Sequence, residues 1–174
     1  MRYKQSKILS IVVTLVIGSL LVFTGSLVAA ASQAGFLQGT WSDHLSVEGF
    51  PTFPMYCTYF SDLVGAQVGG SMLCTINRIE LPTPQGKLVL QGTGHGVWAQ
   101  TKSREFDFTM AFFITDGSGN LVGMSKIRGV KHLNESMDKY TGEGIDEIMD
   151  FEGNIMATSS WTVEGTKMVV EPME

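Results

Sequence analysis

Between Glu105 and Thr115 every second residue is large and apolar. Phe106, Phe108, Met110, Phe112 and Ile114 make one face, and Asp107, Thr109, Ala111, Phe113 and Thr115 make a mostly wet one. Successive side chains point to opposite sides only along an extended backbone, so this run is a β-strand with one buried face. A helical period of 3.6 fits none of the region. Further runs read the same way: Thr40–Val47, Met55–Ser61, a weaker Ala66–Ile76, Thr93–Thr101, Leu121–Leu133 and Lys139–Asp150. A last hairpin is expected between Ile155–Val163 and Thr166–Val170, turning at Glu164-Gly165. Turn residues separate them at Asp116 to Asn120, Asn134 to Asp138 and Glu152-Gly153-Asn154. Strands joined by short loops pair antiparallel with their sequence neighbours. A meander that must hide its edges closes on itself. The expected fold is all-β, an antiparallel up-and-down β-barrel of about eight strands. A two-sheet sandwich is the alternative, because the sequence does not show whether the first and last strands meet.

The N-terminus has a different character. Arg2, Lys4 and Lys7 precede a stretch from Ile8 to Ala31 without a single charge, which ends on Ala29-Ala30-Ala31. This pattern reads as a cleaved signal peptide over residues 1–31, with the barrel domain in 32–174. The apolar run is also long enough to serve as an uncleaved anchor. Both readings put the domain outside the cytoplasm, secreted or periplasmic, with membrane contact only through this segment. The whole chain carries −5, and setting those three cations aside leaves the domain more acidic still. Such a surface repels phosphate backbones, so a nucleic-acid partner is not expected. Cys57 and Cys74 are the two cysteines. In an oxidising compartment they permit one disulfide across neighbouring strands, the alternative being two buried thiols.

Two connections stand out. Gly49-Phe50-Pro51-Thr52-Phe53-Pro54 places two aromatic rings in a loop stiffened by prolines, which suits a cap or the rim of a ligand mouth, the alternative being a loop packed as satellite core. Glu80 to Gly86, with Pro82 and Pro84, is expected to be a loop over one end of the barrel.

Gly39-Thr40-Trp41, opening the first strand of an exported meander, resembles the lipocalin-like (calycin) barrels. That resemblance implies that the indole closes the narrow end, with a cation from the last strand, here Lys167, stacked on it. Gly92 to Trp98, followed by a phenylalanine-rich strand, is similar in look to the related allene-oxide-cyclase-like barrels, which include natural-product cyclases. Both resemblances imply a barrel around an apolar cavity, with a small apolar molecule as partner.

The candidate ligand-binding residues are Trp41, Phe50, Phe53, Tyr56, Trp98, Phe108 and Phe112. By parity Asp43 shares the face of Trp41, Leu45 and Val47, so it would be an inward carboxylate needing a counter-charge, for which Arg128 is a candidate; the alternative is a bulge that turns Asp43 outward, or an Arg128 that faces water with Lys126 and His132. His95, flanked by Gly94 and Gly96, is the natural acid–base group near neutral pH. With Asp43, Arg128, Tyr59 and Tyr56 it makes up the acid–base set that a cofactor-independent cyclase or isomerase would use. Glu143, Asp146, Glu147, Asp150 and Glu152 read as a solvated outer face. No His/Cys spacing suggests zinc, and no nucleophile elbow, phosphate loop or dinucleotide fingerprint is present, so no metal or cofactor is expected. A binding protein is the first reading of function and the cyclase the second.

Overall fold

The structure is a computed structural model that describes residues 36–64, 67–83 and 86–169. The expected signal segment lies outside the described residues. Nine strands follow in order: β1 Gly39–Val47, β2 Phe53–Tyr59, β3 Asp62–Val64, β4 Gln67–Thr83, β5 Gly86–Lys102, β6 Glu105–Asp116, β7 Leu121–Leu133, β8 Lys139–Met149 and β9 Ile155–Lys167. Every pairing is antiparallel, in the order β2-β1-β9-β8-β7-β6-β5-β4-β3, and an additional β2–β4 pairing shuts the sheet. Eight strands thus form a closed barrel, and β3 is a short flap on β4. The sandwich alternative is excluded.

The first and last long strands do meet, with Trp41 opposite Lys167 and Val47 opposite Trp161. The seam between β2 and β4 puts Cys57 directly across from Cys74, and the two form a disulfide spanning 17 residues of chain. A bridge closing a loop of this size typically contributes about 3 kcal/mol, chiefly by restricting the unfolded chain. Here it also pins the β2–β4 seam, one of the two junctions where strands that are not sequence neighbours must pair.

Two expectations about connections are corrected. Glu164-Gly165 is not a hairpin, because β9 runs straight through it. Gly165 sits under the ring of Tyr140, where an added Cβ would lie 2.4 Å from a ring carbon. The glycine is required by packing and not by a turn. Glu80 to Gly86 is not a loop over the barrel end either. The ladder of β4 and β5 continues to Thr83 opposite Gly86 after a register shift between Ile76 and Ile79, so both strands are longer than the expected Ala66–Ile76 and Thr93–Thr101.

The loops between β1 and β2, β6 and β7, and β8 and β9 gather at one end, which is open. Leu37 and Trp41 close the other end, both fully buried.

Candidate functional site

The inner face of the barrel carries two distinct layers. Near the closed end, alternation turns Asp43 of β1, Tyr59 of β2, Lys131 of β7 and Tyr140 of β8 into the interior, each no more than 2% exposed. The Lys131 ammonium donates to the Tyr59 and Tyr140 hydroxyls at 2.5 Å each and to Asp43 Oδ2 at 3.4 Å. Its three protons therefore meet three acceptors. Tyr140 in turn donates its hydroxyl proton to Asp43 Oδ2. Asp43 Oδ1 has no partner among the described residues. Burial pushes the Lys131 ammonium below its usual range, with the Asp43 carboxylate opposing that shift. Burial also holds both phenols well above theirs, the neighbouring Asp43 charge adding to the effect.

Aromatic rings wall this layer in. Trp41 lies below it, its ring 4.8 Å from that of Tyr140 and its Nε1 donating to Leu37 O at 2.8 Å. Lys167 Nζ stands 5.6 Å from the indole centroid, the cation contact that the last strand was expected to supply. Trp98 packs beside Tyr59 and Phe106 against Trp98, and the Phe108 ring centroid lies 5.0 Å from the Lys131 ammonium with Trp161 against that ring.

Above this layer the barrel is hollow. A cavity of about 590 Å³ opens towards the mouth, lined chiefly by Leu45, Val47, Leu88, Leu90, Ile127 and Ile148, with Phe50, Phe53 and Met156 at its rim and Trp161 also in its wall. That volume lies within the ordinary range for small-molecule sites. None of the four residues of the polar layer lines it. Asp146 is the one ionisable side chain among the described residues that do. Its carboxylate is 9% exposed and accepts a hydrogen bond from Ser125 Oγ at 2.7 Å. Burial raises its pKa, Glu147 adds to the rise and the Ser125 hydrogen bond opposes it.

The expected outer acidic face is thus corrected at Asp146. Parity along β8 carries Tyr140, Gly142, Gly144, Asp146 and Ile148 to one side, and that side is the interior. The raised pKa has a consequence for stability. The folded state holds this proton to higher pH than the unfolded chain does. Stability from this group is therefore greatest below the unfolded value and falls as pH rises through the folded one. Asp146→Asn removes the penalty, so thermal melts should show a higher Tm than wild type at about pH 7 and no gain at about pH 3, where both states are protonated. A lower Tm at neutral pH would show that the carboxylate is stabilising where it sits.

The expected acid–base set does not assemble. Asp43 and Tyr59 come together in the polar layer, but His95 and Arg128 lie on the outer surface. Arg128 pairs with Glu147 at 2.8 Å, and Lys131 takes the place foreseen for it beside Asp43. The glycine beside His95 serves another purpose: an added Cβ at Gly94 would meet the Phe112 ring at 2.6 Å. Tyr56 is half exposed, because Met55, Cys57 and Tyr59 take the inward positions of β2. Of the expected ligand-binding residues, Phe50 and Phe53 line the cavity. Trp41, Trp98, Phe108 and Phe112 are buried elsewhere in the interior. Sequence reasoning missed Lys131, Tyr140, Asp146 and Trp161. The available signal was parity, since Lys131 shares its face with Ile127 and Leu133.

Fold and site together define an antiparallel β-barrel, closed at one end by tryptophan and hollow at the other. No family model and no curated protein matches the sequence. Among solved structures, the chain is similar to a redesigned beta barrel at 15% identity, over 79% of this chain and 96% of that one, with a TM-score of 0.49. It is also similar to EF1p2_mFAP2b bound to DFHBI at 14% identity, over 78% and 97%, with a TM-score of 0.48. A third is a redesigned beta barrel, mFAP1, bound to DFHBI, at 12% identity over 78% and 98%, with a TM-score of 0.41.

Proposed function

We propose that this protein is an exported, lipocalin-like carrier that holds a small, largely apolar molecule in the upper half of its barrel. The observation that carries the reading is the cavity of about 590 Å³, walled by aliphatic side chains and open at an aromatic rim. Aliphatic walls around a space of this size offer a small apolar molecule close packing contacts and removal from water. Export is supported by the charge pattern of residues 1–31, which the barrel in 32–174 follows, and a buried disulfide accords with an oxidising compartment. The cyclase alternative has less support, since the polar groups that converge do not line the cavity.

The test is binding of the neutral fluorophore N-phenyl-1-naphthylamine. Wild type should bind one molecule per barrel. Ala157→Trp, which puts an indole into the mouth at an exposed position, should weaken that binding by more than about tenfold, or roughly 1.4 kcal/mol, at unchanged Tm. Equal binding by both proteins would place the dye elsewhere and remove the main support for a carrier.

A further inference from the structure

The cavity that the carrier reading rests on has a chemically lopsided wall. Its described lining holds no lysine, arginine or histidine, and one carboxylate, Asp146. One oxygen of that carboxylate is taken by Ser125. Nothing cationic faces it from the neighbouring strands. On β7 its pair is Ile127, and on β9 it is Ser159. Glu147, its neighbour on β8, is paired with Arg128 outside the barrel, and Lys126 is opposite Glu147 on the same outward side. Among the described residues the buried cation is Lys131, and its three protons are committed to Asp43, Tyr59 and Tyr140. A carboxylate in an apolar wall with a single neutral donor is poorly compensated.

We infer that the molecule this cavity selects is an apolar amine, seated with its ammonium group on Asp146 and its hydrocarbon body against the aliphatic wall; this rests on the reading of the cavity as a binding site. An ammonium supplies the counter-charge that the wall lacks, in surroundings where such a pair is weakly screened. Trp161 reaches the same wall from β9, two residues along from the position opposite Asp146. Its ring, with those of Phe50 and Phe53, offers faces that attract a cation. A fatty acid would bring a second negative charge into a wall with no described cation to receive it. The chemistry therefore selects against carboxylate-headed lipids of the same length.

Decylamine, decanol and decanoate share one tail and differ in the head. Displacement of N-phenyl-1-naphthylamine at about pH 7, where the amine is protonated and the acid ionised, compares the heads directly. Decylamine should displace the dye at least about tenfold more tightly than either of the others. Asp146→Asn should erase that preference. Glu164→Gln, which removes one exposed carboxylate, should leave the preference unchanged. Equal displacement by all three heads, or a preference for decanoate, would overturn the amine assignment and leave the carrier reading standing. A preference that survives Asp146→Asn, or is lost with Glu164→Gln, would trace it to surface charge and overturn the assignment too. Absence of dye binding together with no effect of any head would overturn both.

Discussion

Lys131→Met should destabilise the protein by about 3–5 kcal/mol, the usual result of removing one partner from a buried ion pair. Methionine matches the length of the lysine stem, so the loss is mainly electrostatic. Asp43 would keep the Tyr140 hydroxyl as donor but lose the ammonium, and its Oδ1 already lacks a partner among the described residues. Two phenol oxygens would lose a donor at the same time. The complementary variant decides the cause. Asp43→Leu combined with Lys131→Met replaces both charges by apolar groups, and such exchanges are often close to neutral. Urea unfolding of the two single variants and the double should therefore give a strongly non-additive cycle, the double being more stable than either single. A double variant as weak as the sum of the singles would show that the charges matter separately, through packing or through the tyrosines.

Trp41→Ala should cost about 3–5 kcal/mol, the range for truncating a fully buried large aromatic side chain. The ring is fully buried, donates to the Leu37 carbonyl and packs on Tyr140, with Lys167 beside it. Its removal has a second, separable effect. The indole seals the end of the barrel beneath the Lys131 layer, so water gains a path to an ammonium whose pKa is held down by burial. Acylation of Lys131, followed by peptide mapping, should be undetectable in wild type and measurable in Trp41→Ala under native conditions. Trp41→Phe should recover most of the stability and all of the protection. If Lys131 in Trp41→Ala stays as unreactive as in wild type, the indole is not the seal.

Much of the architecture was legible because a strand displays its environment at every second residue. The faces of Glu105–Thr115 and of Thr40–Val47 gave the all-β reading, and the same parity put Asp43 inside. Phe50 and Phe53 line the cavity, one of the roles their proline-stiffened connection left open. Parity was harder to use where composition pulled against it. Asp146 lies in an acid-rich run that looks like solvated surface, and Lys131 is a residue type rarely buried unless paired. Glu164-Gly165 resembled a turn because glycine also serves turns, and nothing local reveals the Tyr140 ring lying on it.

From its sequence alone the chain had settled its strand content, its antiparallel order and which faces are greasy, because those follow from backbone geometry and near-neighbour pairing. Tertiary structure alone decided that β2 meets β4, that Lys131 and not Arg128 answers Asp43, and that a hollow lies above that pair. These depend on groups brought together from distant parts of the chain, 97 residues apart in the case of Asp43 and Tyr140. No local rule reports such distances, since they are set only when the whole sheet has curled shut.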